Sequence, residues 1–360
     1  MFDASRFATR FGRLSSGPGA LNSHHYNARI LHTVESARHI DGRRIVERAV
    51  EAAFAPLIAE ACPGERRGHL AHEVAQHLYA HLGYGWYDLT GDGAVSTASH
   101  FVEGWNAGKP GSRRCVCTFT SAYLAMAHAI ATGELVDYIE RQCMVDGARA
   151  CRFERVPGRT APLAPPGDPP PPPEPPPAGA GNIDAAAIAE AVAAMPLHGN
   201  SEGLIPAFNL YLARTPVDFY DRLSTDFVNE MSSAGLGRHA RQLLGNDAET
   251  CAMHTFRGIL ASPEWAAAVA PMVLIPDDNL FGLIALASAF GWGSWRVVEH
   301  ARGQRVRLEL AGVASEPRRW MLTGVAAALM ELLYSTGSID ERFGTFTATA
   351  QGSAFTVEKS

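Results

Sequence analysis

The chain has 360 residues, of which 47% are hydrophobic and 19% are charged. This length and composition provide enough apolar surface for two ordinary domains, which excludes a disordered tail and a lone disulfide mini-protein. The net charge of −6 comes from 31 basic and 37 acidic residues with no Lys/Arg-rich stripe, so we expect no nucleic-acid partner. The most apolar run, residues 280–290, is too short to span a bilayer, and we expect a soluble protein without membrane contact.

The N-terminal arm, residues 1–18, interleaves phenylalanines with arginines instead of forming the apolar core of a secretory signal. It fits either a short amphipathic arm that packs on the body or an organellar transit peptide. Six cysteines are too few for a disulfide scaffold, and four of them fall within residues 115–151. This clustering favours a metal site in a reducing compartment, so we expect a cytoplasmic protein.

Hydrophobic periodicity predicts helices and then strands in the first half of the chain. Apolar residues that recur every 3.6 positions predict helices over 43–61, 68–82 and 121–132. Runs of β-branched and aromatic residues predict strands over 95–105, 135–140 and 151–156. Gly133 is predicted to end the last helix, and Asp146-Gly147 predicts the turn of a final hairpin. Together these elements predict an α+β domain over residues 19–156.

A proline-rich segment, residues 157–181, holds twelve of the 23 prolines and predicts a polyproline II linker. Its role is that of a spacer or, as the alternative, a ligand for a partner domain. The sequences on its two sides are alike at an offset of 204 residues, which aligns Phe153 with Val357. We therefore predict two tandem repeats, each a helical layer packed on an antiparallel sheet, with the second repeat over 182–360.

Three cysteines and a glutamate in the first repeat have the spacing of a metal site. Cys117, Glu140, Cys143 and Cys151 are separated by 23, 3 and 8 positions. The predicted hairpin presents the last three to one point, while Cys117 approaches from the start of a helix. Three thiolates and a carboxylate fill a tetrahedral shell that suits Zn²⁺, so we predict one structural zinc per chain. Cys115 lies two residues from Cys117, and we interpret it as a buried thiol, with a role as an alternative ligand as the second interpretation.

The run 117–151 resembles the C-terminal half of the 4-vinyl reductase domain family. This small-molecule-binding module also forms the zinc-containing sensory domain of bacterial phenol-responsive transcription activators. In those sensors a Cys, a Glu and two further Cys at this spacing hold the zinc, and the similarity extends to Tyr123, Gly133 and Gly147. The resemblance covers residues 68–156 and implies a ligand cavity between the helices and the sheet. The chain has no ATPase module and no helix-turn-helix, so the activator role is not implied.

At the 204-residue offset, the second repeat carries Met321, Gly344, Thr347 and Phe355 in place of the four ligands. None of these residues supplies a thiolate or a carboxylate, so we predict a degenerate 4-vinyl-reductase-like domain without zinc. Met321 and Phe355 are expected to fill the corresponding volume with apolar side chains.

Three residues are candidates for binding a ligand in the implied cavity: His100, Trp105 and Tyr123. An imidazole beside aromatic rings suits a phenol-like or other planar molecule, although ordinary core packing is the interpretation that residues of these types favour. A second set recurs every fourth residue along the helix over 68–82 and comprises His69, Glu73, His77 and His81. That set fits a second metal site or residues that flank the apolar face of the helix.

The sequence contains no nucleophile elbow, P-loop, dinucleotide-binding fingerprint or zinc-protease motif. We therefore expect a protein that binds or senses a small apolar or aromatic ligand and passes its state to a protein partner. The alternative is an enzyme of tetrapyrrole or secondary-metabolite biosynthesis, a reductase or hydrolase that uses the same pocket. A scaffold whose two repeats bridge partners is a third possibility.

Overall fold

A computed structural model describes residues 19–62, 68–108, 116–158, 183–273, 278–313, 315–351 and 354–360. The N-terminal arm, Cys115 and all but the first two residues of the proline-rich segment lie outside the described residues. The described chain groups into two compact units. The first unit contains residues 19–158, His198–Pro206 and Tyr211–Phe227, and the second contains 183–197, Ala207–Leu210 and 228–360.

The elements before the proline-rich segment alternate between helices and strands. In chain order they are β1 (Gly19–Ser23), α1 (His24–Ser36), α2 (Gly42–Ala61), α3 (His69–His81), β2 (Gly85–Leu89), β3 (Gly93–Ser99), α4 (His100–Gly108), α5 (Thr118–Thr132), β4 (Val136–Gln142) and β5 (Cys151–Pro157). A 3₁₀ turn, Met144–Asp146, lies between β4 and β5.

The elements after the proline-rich segment begin with a short helix. In chain order they are α6 (Ala185–Ala193), β6 (Ile205–Ala207), β7 (Leu210–Pro216), α7 (Val217–Ser233), α8 (Gly237–Leu260), α9 (Pro263–Ala268), α10 (Asp278–Ala289), β8 (Ser294–Ala301), β9 (Arg305–Ala311), α11 (Glu316–Tyr334), α12 (Ile339–Arg342), β10 (Phe346–Gln351) and β11 (Ala354–Lys359).

Local capping fixes where the helices of the first unit begin and end. The Ser23 hydroxyl accepts a hydrogen bond from the Tyr26 N–H at 3.3 Å at the start of α1. The Asp41 carboxylate accepts one from the Arg44 N–H at 3.0 Å at the start of α2. Helix α5 ends at Gly133, whose φ of 78° is a left-handed conformation that glycine adopts without steric cost. The predicted C-cap is therefore confirmed.

The core of the first unit is aromatic. Phe54 of α2 lies 5.7 Å from Tyr123 of α5 and 6.1 Å from Phe219 of α7, measured between ring centroids. Tyr79 lies 4.9 Å from Tyr123, and its hydroxyl bonds the Thr120 hydroxyl at 2.7 Å. These rings are almost fully shielded from water, so they join α2, α3 and α5 into one hydrophobic layer.

A four-stranded antiparallel sheet, in the order β2-β3-β5-β4, packs with these helices through α5 and β4. Residues that follow the proline-rich segment complete the first unit. Strand β7 pairs with β1, with Leu212 opposite Ser23, and the Thr215 hydroxyl bonds the Tyr84 hydroxyl at 2.8 Å. The predicted first domain, residues 19–156, does not contain these later residues, which the structure groups with the first unit.

The second unit also contains a four-stranded antiparallel sheet, in the order β10-β11-β9-β8. Counted from the first strand of each sheet, the two sheets have the same order. Helices α8 and α11 approach closely, because a Cβ atom at Gly324 would lie 2.1 Å from the Gly245 carbonyl oxygen. Two packed helices and a sheet thus form the second core, and the α+β class is confirmed for both units.

One predicted strand is wrong over part of its length. The segment 95–105 is strand only as far as Ser99, and His100 begins helix α4. Phe101, Val102 and Trp105 are all buried, which is the spacing of a helix face, not of a strand face. Among the described residues, no helix combines the length and apolarity that crossing a bilayer requires.

Candidate metal centre and adjacent cavity

The four predicted metal ligands come together in the first unit. Their ligand atoms, one from each of Cys117, Glu140, Cys143 and Cys151, all lie within 4.8 Å of one another and could hold a metal ion. The three cysteines are completely buried, and Glu140 is half-buried. The prediction that these four residues form a cluster able to hold a metal ion is therefore confirmed.

The sulfur atoms are close but not bonded to one another. The Cys151 Sγ atom lies 3.8 Å from that of Cys117 and 3.8 Å from that of Cys143. A disulfide requires a separation of about 2.05 Å, so these are free thiols arranged around a common centre. The Cys117 N–H donates to Glu140 Oε2 at 3.0 Å, which fixes the orientation of the carboxylate.

The β4–β5 hairpin positions three of the ligands. A bulge at Arg141 interrupts the pairing between Glu140 opposite Phe153 and Gln142 opposite Arg152. Such a bulge bends the strand and redirects the residues that follow it. The 3₁₀ turn then ends at Gly147, which has a φ of 88°, and returns the chain to Cys151. The predicted turn at Asp146-Gly147 is thus part of the geometry of the centre.

Cys117 reaches the cluster from the N-cap of α5, and its Sγ atom lies 3.6 Å from the Ser99 hydroxyl. The Met144 N–H lies 3.5 Å from the Cys151 sulfur and donates to it. Two of the sulfurs therefore have polar neighbours beyond the ligand set, of a kind that orients metal ligands.

The electrostatics of the cluster favour a cation. Burial, together with the neighbouring Cys143, raises the pKa of Glu140 to about 8. Hydrogen bonding to Cys143 and Cys151, reinforced by burial, raises the pKa of the Cys117 thiol. Four acidic groups in a buried space cannot all ionise without a compensating positive charge. A divalent cation supplies that charge and holds its thiol ligands in the thiolate form.

The second unit differs at the corresponding positions. Phe355, which the predicted repeat aligns with Cys151, is buried in β11 opposite Leu308, whereas Cys151 is buried in β5 opposite Ser96. Met321 is buried within α11. The second unit's part of the described chain contains no cluster of metal-ligating side chains.

The 204-residue offset does not hold in strand β10. Ala348 lies opposite Val357, whereas Glu140 lies opposite Phe153, so the strand is displaced by four residues relative to the sequence alignment. Gly344 precedes the strand, and Thr347 lies opposite Glu358. The reason is the length of the hairpin connection, because only two residues separate the paired Gln351 and Ala354.

A cavity of about 200 Å³ in the first unit is lined by α1, α4 and Val116. Trp105 of α4 lines it, as do Leu31, His32 and Glu35 of α1. The His32 ring stands edge-on to Trp105, with ring centroids 4.7 Å apart and planes at 84°. Sequence reasoning identified Trp105 but missed the α1 residues. The available signal was a glutamate beside the apolar stripe formed by Ile30, Leu31 and Val34.

His100 and Tyr123 are not among the residues that line this cavity. His100 is completely buried, and its Nε2 atom lies 2.8 Å from Asn27 Nδ2, while Tyr220 donates a hydrogen bond to the other end of the Asn27 amide. Burial lowers the pKa of His100 well below its usual range, so the ring is neutral. The Tyr123 hydroxyl donates to the Ala75 carbonyl oxygen at 2.8 Å. Binding of a ligand by these two residues stays a prediction.

The predicted helix that carries His69, Glu73, His77 and His81 is confirmed as α3. Within the described chain, these four side chains do not form a group that could hold a metal ion. His77 is buried, with its ring 5.6 Å from that of Trp86. The His81 ring stacks on that of His198 at 6.1 Å. These contacts are those of histidines that pack at the edge of an apolar face.

Comparison with known proteins does not assign the chain to a group. No family model, no curated protein and no solved structure matches it. Its function is therefore argued from the cluster and the cavity.

Proposed function

We propose that the first unit holds one structural zinc ion through Cys117, Glu140, Cys143 and Cys151. The two sulfur–sulfur distances of 3.8 Å carry this proposal. Ligands at the usual Zn–S distance of about 2.3 Å in a tetrahedral shell place two sulfurs ~3.8 Å apart. The four side chains complete that shell, so the metal would link β4, β5 and the start of α5 and would have no open position for a substrate.

The same cluster supports placing the first unit among 4-vinyl-reductase-like domains, because it has the ligand types and spacing that the resemblance requires. We extend this proposal to a tandem duplication joined by the proline-rich segment. The common strand order of the two four-stranded sheets supports it. In the second unit, Phe355 would replace a metal ligand with an apolar side chain while the sheet is kept.

The function proposed for the protein is binding of a small apolar or aromatic molecule, in the cytoplasm, as a sensor that signals to a protein partner. The cavity beside Trp105 supports a ligand of limited size. At about 200 Å³ it is smaller than the ~300–1,000 Å³ of sites for drug-sized molecules, and a single-ring compound suits it. A ligand there would contact α1 and α4, whose packing is part of the first core.

Thermal unfolding of the zinc-loaded chain with phenols, aromatic acids, aromatic amines and tetrapyrroles tests this function. A ligand that binds only the folded state raises the melting temperature. We expect at least one single-ring compound to stabilise the wild type, and Trp105→Phe to reduce its effect. Trp265→Phe, at a buried tryptophan of the second unit, is the matched control and should leave the effect unchanged.

His100→Ala separates the cavity beside Trp105 from a site built around His100. Its contacts lie in the core, so we expect it to lower stability but not to abolish the shift caused by the ligand. If no compound stabilises the wild type, or if Trp105→Phe and Trp265→Phe respond alike, the proposed binding function is wrong.

A further inference from the structure

We propose that the cavity beside Trp105 selects a small organic cation, a single-ring primary amine, whose ammonium group pairs with Glu35. This inference rests on the proposed function, because it assigns a charge to the ligand of the same cavity. The ligand differs from the neutral phenol-like molecule expected from the sequence because Glu35, which was not among the predicted site residues, lines the cavity.

The first observation is a carboxylate oxygen without a partner. Glu35 is one of the residues that line the cavity, and its Oε1 atom is shielded from water and accepts no hydrogen bond. The carboxyl group has one hydrogen-bonding neighbour, the Thr118 hydroxyl. A buried acceptor left unsatisfied costs free energy, so a ligand donor that reached this oxygen from the cavity would be stabilised.

The second observation is the lack of a counter-ion. Within the described residues, no ion pair involves Glu35. The cation that influences it is Arg43 on α2, whose guanidinium is already bonded to Glu47 at 3.0 Å and to the Tyr138 carbonyl oxygen at 3.3 Å. Most of the positive charge near Glu35 is therefore shared with another carboxylate.

Burial raises the pKa of Glu35 to about 8, and this effect exceeds the opposing influences of Thr118 and Arg43. The empty site thus holds a carboxyl group that ionises with difficulty because no cation accompanies it. An ammonium ion beside it would supply both the missing charge and the missing hydrogen-bond donor.

The other walls of the cavity suit the organic part of such a ligand. Leu31 and Val116 supply apolar surface, and the Trp105 indole offers an aromatic ring. Indole is the aromatic side chain that attracts cations most strongly. An anionic ligand would find no positive partner in Glu35, Trp105, Leu31 or Val116, and an alcohol would gain a hydrogen bond without the charge pair.

Titration calorimetry on the intact chain with benzylamine, benzyl alcohol and benzoate tests the inference, since the three probes share one ring and differ in charge. We expect benzylamine to bind at least about tenfold more tightly than benzyl alcohol, because hydrogen bonds to charged groups are the stronger kind. We expect no binding of benzoate. Glu35→Gln should remove the preference for the amine, whereas Glu60→Gln, at an exposed position, should keep it.

The outcomes distinguish the two proposals. If benzyl alcohol binds as tightly as benzylamine, or if Glu35→Gln keeps the preference, the assignment of a cation is overturned and binding in the cavity stands. If none of the three probes binds but a phenol stabilises the wild type, the assignment of a cation fails alone. If no compound binds at all, both proposals fail.

Discussion

The final hairpins of the two units differ in length and in what they bury. In the first unit, eight residues connect β4 to Cys151, and the connection carries Cys143 into a buried cluster. In the second unit, only two residues separate Gln351 from Ala354. The side chain that this hairpin buries is that of Phe355. A short hairpin can be held by apolar packing alone. The eight-residue connection of the first unit needs an additional link, which the four residues of the proposed metal site would provide.

The two units also differ in the titratable groups they bury. The first unit buries neutral histidines, among them His24 and His100, whose pKa values burial lowers. The second unit contains a pair of carboxyl groups, the half-buried Glu249 and the buried Glu331, that share a hydrogen bond and whose pKa values burial raises. Acid should therefore act on the buried histidines of the first unit, whereas base should act on carboxyl groups in both units, Glu35 among them.

The largest expected loss of stability comes from removing a ligand of the proposed zinc site in the hairpin of the first unit. Cys143→Ser should destabilise the first unit by at least about 4–5 kcal/mol, because a structural metal contributes its binding free energy to folding. Hydrogen exchange of each unit measures this. Cys251→Ser, at a buried cysteine of the second unit, should cost only about 1–3 kcal/mol there. Equal losses for the two variants would contradict a metal-dependent hairpin.

Apolar packing in the second hairpin predicts the next largest effect. Phe355→Ala should cost about 3–5 kcal/mol, since it leaves a cavity at a fully buried site. Chemical denaturation followed by hydrogen exchange in the second unit measures the loss. Thr347→Ala, in the partner strand but exposed, should change stability by less than about 0.5 kcal/mol. A Phe355→Ala loss of that small size would show that the second hairpin is held in another way.

The buried carboxyl pair predicts a gain in stability. Burial raises the pKa of Glu331 from an ordinary value of 4.5 to about 8. The folded second unit thus favours the protonated form, and its stability is complete below pH 4.5 and declines as pH rises towards 8. Glu331→Gln should stabilise the second unit by about 1–3 kcal/mol at neutral pH and by little at pH 4. A gain that does not depend on pH would exclude this explanation.

The last prediction concerns the loss of stability of the first unit in acid, to which His24 contributes. Burial lowers the pKa of His24 from an ordinary value of 6.5 to about 4, so the unfolded chain binds the proton more readily and stability falls as pH drops from 6.5 to 4. His24→Asn keeps an acceptor for the Tyr211 N–H and does not titrate. It should reduce the destabilisation between pH 7 and pH 5 by about 2 kcal/mol. The exposed His39→Asn serves as control, and an equal reduction there would contradict the assignment.

The sequence was sufficient for features that depend on local pattern or on distinctive residue types. Helices α2, α3 and α5 follow from their apolar period, and the hairpin turn follows from Asp146-Gly147. The residues of the candidate metal centre were identifiable because three cysteines and a glutamate are chemically conspicuous. The segment after Ser99 was misassigned because its aromatic and β-branched residues fit both a strand and one face of a short helix.

Features that depend on distant contacts could not be obtained from local pattern. Glu35 lies 70 positions before Trp105, and no periodicity indicates that both line one cavity. The pairing of β1 with β7 joins segments separated by the proline-rich region, so a division based on composition could not include it. The displacement of β10 arises from a shortened connection that an alignment at constant offset cannot represent.

X-ray absorption at the zinc edge, on the intact chain purified without chelators, tests the central claim most directly. The account predicts one zinc per chain with three sulfur ligands at about 2.3 Å and one oxygen at about 2.0–2.2 Å. The Cys143→Ser variant should lose the metal or one sulfur from this shell. Absence of zinc in the wild type, a shell of nitrogen and oxygen alone, or an iron–sulfur chromophore would contradict the account.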